Sequence, residues 1–144
     1  MKAVVNQAPV PKQIQGPPVN GVSNFAIQYE NAMVFYAKND YANAFAEFSK
    51  LAKAGFDKGQ YWTGLCYYEG EGTDVNYQKA VHYFHLAAEQ KNADAFYMLG
   101  CCYHDGKGCK KDLEFSKKCF KNAATQGSPQ AKQVVENQGF RGYF

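Results

Sequence analysis

The stretch Ala95–Gly127, AFYMLGCCYHDGKGCKKDLEFSKKCFKNAATQG, decides how this chain is read. Shifted by 36 positions, its special residues fall on an earlier copy of themselves: Tyr97 on Tyr61, Gly100 on Gly64, Cys102 on Cys66, Tyr103 on Tyr67, Gly106 on Gly70 and Gly108 on Gly72. The correspondence runs on through Phe120 with Phe84, Ala123 with Ala87, Ala124 with Ala88 and Gln126 with Gln90. A further step back takes Tyr77 to Tyr41, Ala80 to Ala44, Phe84 to Phe48 and Ala88 to Ala52. A fixed period of this length marks a stacked repeat, whose units bury their apolar faces against their neighbours.

Within one unit the period is helical. Over 57–69, Gly59, Thr63, Cys66 and Tyr67 recur at i, i+4, i+7 and i+8, one face of a helix. Gly70-Glu71-Gly72 and Gly106-Lys107-Gly108 then break the chain. Ala80, Tyr83, Phe84, Ala87 and Ala88 mark a second helix, with Asn76 and Asp112 placed to cap the second helices of successive units. Gly127, and Lys91-Asn92 one unit earlier, fall where those helices end. Strand signals are absent. Gly64 and Gly100 sit mid-helix, where glycine costs ~1 kcal/mol against alanine unless another backbone approaches closely. Ala87-Ala88 and Ala123-Ala124 are the expected low spots opposite them, with Tyr67, Tyr103, Phe84 and Phe120 filling the remaining volume.

These residues resemble the Sel1-like repeat, a longer-looped relative of the tetratricopeptide repeat. The last unit carries the pattern on Ala95, Leu99, Gly100, Tyr103, Gly106, Gly108, Asp112, Ala123 and Ala124. The unit at 59–91 carries it on Gly64, Tyr67, Gly70, Gly72, Lys79, Ala80, Ala87, Ala88, Glu89 and Gln90. The first unit lacks the Gly-x-Gly loop and is closer to a plain tetratricopeptide repeat through Ala32, Phe35, Tyr41, Ala44 and Phe48. Departures are Thr63 for Leu, Ser116 for Ala and Cys109 for Val. The expected fold is all-α: a right-handed α-α superhelix (solenoid) of about three helix pairs plus a closing helix over 128–137. Residues 1–22, with Pro9, Pro11, Pro17 and Pro18 among Gln, Asn and Val, read as a flexible arm. The repeat domain is 23–137, and 138–144, QGFRGYF, is an aromatic C-terminal tail.

Composition bounds what such a chain does. It has 144 residues, 46% hydrophobic and 20% charged, with a net charge of +3, enough for one core and too mild to mark a nucleic-acid binder. No apolar run reaches the ~18 residues of a membrane span. The first thirty residues hold no apolar signal core and only two lysines. Six lysines between 107 and 121 face only Asp112 and Glu114, but without arginine or interleaved aromatics they read as a solvated helix face.

Catalytic and metal motifs are missing. There is no phosphate loop, no Gly-x-Ser-x-Gly and no His-Glu-x-x-His, and the Gly-x-Gly pairs end helices instead of following strands. His82 and His85 lie one helical turn apart with no further ligands nearby in sequence. Cys101, Cys102, His104 and Cys109 lack a Cys-x-x-Cys hook, and the two adjacent cysteines point ~100° apart on a helix. No cofactor and no metal are therefore expected, and no enzyme. Cys66 and Cys102 occupy one repeat position, where a small buried hydrophobe is expected, Cys66 set against Tyr83 and Cys102 facing Cys119 across its hairpin. Cysteine-rich members of the resembling family that carry disulfides place them at the Ala88 and Ala124 positions, which hold none here. With an odd count of five, this favours reduced thiols in a cytoplasmic, reducing compartment, with mitochondria as the alternative.

One stripe remains. Opposite the core face, Tyr61, Trp62, Leu65 and Tyr68 line up on the first helix of the second unit, and Tyr97, Met98, Cys101 and His104 hold the same places one unit later. In tetratricopeptide-type stacks this helix lines the concave surface, so the stripe forms either an aromatic, Met-containing groove or packing against the neighbouring first helix. The resemblance implies a non-catalytic protein-protein interaction module, an adaptor or scaffold holding a peptide or helix of a protein partner, monomeric alone or a subunit of a hetero-complex. The alternative is a structural accessory subunit of a large multiprotein complex.

Overall fold

The computed structural model describes residues 24–137. The arm at 1–22 and the tail at 138–144 lie outside the described residues. Six helices of similar length form three hairpins: α1 (Asn24–Ala37) with α2 (Tyr41–Lys53), α3 (Asp57–Glu69) with α4 (Tyr77–Glu89), and α5 (Ala93–Asp105) with α6 (Leu113–Thr125). A short α7 (Pro129–Lys132) runs into one π turn at 133–137. There is no strand among the described residues, and the hairpins stack into the expected right-handed solenoid.

The ends of the helices follow from the residues singled out in the sequence. Asn76 and Asp112 accept hydrogen bonds from the Lys79 and Phe115 amides at 3.0 Å, capping α4 and α6. Asp40 caps α2 in the same way. Asn92 is not a helix end: it caps the start of α5, accepting from the Ala95 amide at 2.9 Å, as Ser128 does for α7. The turn before it is made by Lys91, at φ +66°, in the place that Gly55 and Gly127 hold in the neighbouring units. The closing helix differs from the expected continuous one. Ser128 and the buried Ala131 start it as Asn92 and Ala95 start α5, but after one turn it widens into the π turn. That widening leaves Val134 and Val135 half-buried, with Gln133 and Glu136 exposed.

The core has two clusters, one where the first hairpin meets Cys66 of α3 and one among α4, α5 and α6. Phe48, Phe84 and Phe120, one per second helix, are fully buried, joined by Leu51, Leu99, Cys66 and Cys102. Opposite the mid-helix glycines stand aromatic rings instead of the expected alanine low spots, and a backbone comes close at Gly64, where a Cβ would lie 3.2 Å from the Ala80 carbonyl oxygen. A Cβ on Gly64 would sit 2.7 Å from the Phe84 ring, and one on Gly100 2.7 Å from the Phe120 ring. The missing side chain makes room for an aromatic ring of the same hairpin. Cys66 also departs from expectation: it is buried with Ala32, Phe35, Ala44 and Phe48 of the first unit, while Tyr83 stacks on Tyr67. At ~100° per residue, two positions beyond Gly64 is the other side of the helix, turned back across the joint. The same step separates Cys102 from Gly100 and turns it toward α4, although Cys102 and Cys119 share one buried cluster.

Gly72 and Gly108 set the joints between units. Both have positive φ, +77° and +74°, and a Cβ on either would overlap a carbonyl oxygen at the start of the preceding second helix, that of Tyr41 or Tyr77. The residue between each glycine pair reaches the end of the preceding first helix. The Tyr36 hydroxyl donates to Glu71 at 2.8 Å, and Lys107 lies 5.3 Å over the rings of both Tyr68 and Tyr77.

Candidate functional site

The eight residues of the predicted stripe are all half-buried. Trp62 is held on three sides: stacked on Phe48 with centroids 5.4 Å apart, edge-on to Tyr36 at 4.9 Å, and donating from Nε1 to the Tyr29 hydroxyl at 3.0 Å. Its ring therefore welds α3 to the first hairpin. Tyr61 packs beside it at 5.7 Å and tilts on Phe84 at 5.9 Å. Burial, with Asp94 adding to it, pushes the Tyr61 hydroxyl far above its ordinary range. Leu65 and Met98 pack against the α4–α6 cluster with part of each side chain outside it. Tyr68 meets Tyr77 edge-on at 5.2 Å, and its hydroxyl accepts from Lys107 at 3.5 Å. Burial raises its pKa, with the lysine pulling the other way.

In the next unit Tyr97 lies edge-on to Phe120 at 5.6 Å, and burial, followed by the influence of Cys101, pushes its hydroxyl up to about 12. Cys101 is half-buried beside it. The His104 Nδ1 lies 2.7 Å from an Asp105 carboxylate oxygen. Each aromatic ring of the stripe thus rests on neighbours, Trp62 on Phe48 and Tyr36, Tyr61 and Tyr68 on Phe84, and Tyr97 on Phe120, while Leu65, Met98, Cys101 and His104 complete a row that is half-buried throughout.

The stripe also continues where the sequence reading stopped. Tyr29, Met33 and Tyr36 hold the same places on α1 and pack around Trp62. They escaped the 36-residue comparison because the α1–α2 connection has three residues where α3–α4 has seven, so the matching shift for this helix is 32. Acidic residues border the row. Glu69 and Asp105 fall in the last turns of α3 and α5, Asp94 in the first turn of α5, all exposed, with Lys58 and the Lys107 that lies over Tyr68 as counter-charges. These are carboxylates at the edge of an aromatic surface, with no nucleophile-base pair among them. No group of three or more His, Cys, Asp or Glu among the described residues is arranged to hold a metal ion.

None of the five cysteines, all among the described residues, is joined in a disulfide. Burial pushes the thiols of Cys66, Cys102 and Cys119 up to about 12, so they are protonated and inert at neutral pH. Of the sites departing from the family pattern, Ser116 is buried and donates to the Gly100 carbonyl at 2.6 Å, whereas the buried Thr63 hydroxyl finds no partner among the described residues. No helix among the described residues is long and apolar enough to cross a membrane.

The comparisons with known proteins agree with this geometry. The Sel1 repeat matches twice, over 57–92 and 93–128, which together span half the chain. A protective antigen of uropathogenic Escherichia coli strains displaying an SLR fold superposes with a TM-score of 0.74 at 26% identity, over 82% of this chain and 26% of its own. A Sel1 repeat protein from Oxalobacter formigenes superposes with a TM-score of 0.73 at 24% identity, over 80% of this chain and 46% of its own. Helicobacter pylori cysteine rich protein B gives 0.60 at 22% identity, over 80% of this chain and 99% of its own. This chain therefore spans about a quarter of the first of these proteins and under half of the second.

Proposed function

Since this chain belongs to the Sel1 repeat family, whose fold is generally a protein-protein interaction scaffold, we propose that it is a non-catalytic adaptor whose first-helix face receives a segment of a partner protein. The observation that carries this reading is the row of half-buried apolar and aromatic side chains repeated on successive first helices, from Tyr36 through Tyr68 and Leu65 to Met98 and His104. Tyr, Trp and Met are the residue types that anchor partners, because they offer large contact area at low entropic cost. The rigid packing of Trp62 supports the same role from behind, since it fixes the face before a partner arrives. The carboxylates of Glu69, Asp94 and Asp105 at the edge of the row favour a partner segment with basic residues.

Placing the photo-cross-linking amino acid p-benzoylphenylalanine at Leu65, at Met98 and, as a control, at Ala46 on the exposed side of α2 tests the reading. Cross-links to one protein from positions 65 and 98 but not 46 are expected; equal labelling from all three overturns it. Size-exclusion of the isolated chain separates the accessory-subunit alternative, for which aggregation is expected, from an adaptor, which elutes as a monomer.

A further inference from the structure

A cavity of about 320 Å³ opens among α4, α5 and α6, away from the first-helix row. Its walls are Phe96 and Leu99 from α5, Phe115 and Cys119 from α6, and Ala88 from α4. His85 stands at one edge, hydrogen-bonded through Nε2 with the Tyr103 hydroxyl at 2.9 Å and stacked on Phe115. Burial lowers its pKa, so it lines the cavity as a neutral ring. Glu89, Lys118 and Asn122 form the polar rim.

The preceding unit explains why the cavity exists. Moved back by 36 residues, Phe96, Leu99 and Phe115 become Gln60, Thr63 and Lys79, while Cys119 and Asn122 become Tyr83 and Leu86. There the joint is polar and covered. The Gln60 amide donates to the Ala52 carbonyl and accepts from Gln90 at 2.9 Å, and the Tyr83 ring stacks on Tyr67 at an interplanar angle of 14°. In the last unit the walls have turned apolar where the two covering side chains have shrunk to Cys119 and Asn122. A volume near the lower end for ligand pockets fits one ring and not a nucleotide or a flavin.

Charge says what accompanies the ring. Helix α6 carries Lys117, Lys118 and Lys121 against one acid, Glu114, and Lys118 is on the rim; Glu89 is the single carboxylate there. The first-helix row has the opposite border, so an acidic segment is disfavoured there and drawn to α6. We propose that this cavity is a second docking site, which takes an aromatic side chain from an acidic segment of a partner protein. It goes beyond the first-helix face and does not depend on it.

The test uses the full chain and the capped peptide acetyl-Asp-Asp-Tyr-Asp-Asp-amide, followed by amide NMR. Saturable shifts at Phe96, Phe115 and Asn122 are expected, with those at Tyr97 and Met98 unchanged. Replacing the peptide's tyrosine with alanine, or its aspartates with lysines, is expected to weaken binding by about tenfold or more, since the ring and the charge each contribute. Asn122→Leu, which restores the preceding unit's residue at an exposed rim position, has the same effect with the melting temperature unchanged. Cys119→Tyr refills the cavity from within; should it fail to fold, Asn122→Leu decides. Absence of saturable shifts, shifts confined to the first-helix row, equal binding of the alanine peptide, or full binding by Asn122→Leu each overturns the proposal.

Discussion

Gly106 and Gly108 stand two residues apart in one loop, with nearly equal φ of +72° and +74°, yet they face different surroundings. Replacing either with alanine imposes the same left-handed backbone on a residue with a Cβ, costing ~1 kcal/mol, from which a few tenths return through the stiffer unfolded chain. At Gly106 nothing more follows, because the nearest atom to the new Cβ is the Lys111 Cβ at 3.3 Å, on an exposed side chain. At Gly108 the new Cβ overlaps the Tyr77 carbonyl and lies 2.9 Å from the Gln78 amide nitrogen. These are backbone atoms in the first turn of α4, so relief requires the third unit to shift as a body by ~1 Å, against overpacking costs of ~1–3 kcal/mol. Gly106→Ala is therefore expected to lose about 1 kcal/mol and Gly108→Ala about 2–4 kcal/mol. At ~3–4 °C per kcal/mol for a chain of this size, the two melting temperatures should differ by ~3–12 °C in thermal unfolding followed by circular dichroism. Equal losses would refute the reasoning, since the loop would then be strained only by its dihedrals and would not set the joint.

Three further outcomes follow from the packing. Trp62→Ala should cost ~2–4 kcal/mol, less than a fully buried tryptophan, and because repeats contact only their neighbours the lost hydrogen-exchange protection should concentrate in α1 and α2; uniform loss along the chain contradicts that. Thr63→Val removes a buried hydroxyl without a partner and keeps the shape, so urea denaturation should show a gain of ~1 kcal/mol; a loss means that the hydroxyl is bonded. The raised thiol pKa values of Cys66, Cys102 and Cys119 mean that the folded state holds protons the unfolded chain has lost, so their contribution is complete below the unfolded thiol pKa near ~8.5 and falls as pH rises toward about 12. Ellman titration of the native chain at pH 8 should accordingly reach the half-buried Cys101 and Cys109 first and all five thiols only after unfolding without reductant; three thiols in that unfolded sample would reveal a disulfide.

The sequence by itself determined the architecture. A repeat writes its period into the chain, and the residues that carry it here are the ones without substitutes: glycines where φ is positive or a ring lies against the helix, Asn76 and Asp112 where amides need acceptors, and alanines where helices meet. These demands are local, so spacing alone reveals them. The stripe was legible as a face for the same reason, since helical angle follows from position.

What only the tertiary structure decided is how each face is spent. Trp62 and Met98 hold one repeat position, yet Trp62 is enclosed by Phe48, Tyr36 and Tyr29, while Met98 keeps part of its side chain open. Nothing in the spacing separates them, because enclosure depends on residues of another unit, reached through a connection four residues shorter. The cavity beside Cys119 is decided in the same way. Its walls come from three helices, and whether small side chains leave a space or let the helices close over it depends on how far those helices can move. Here α5 is held to α6 by Phe120 on Gly100, and to α4 by Gly108 on Tyr77, so the space stays open.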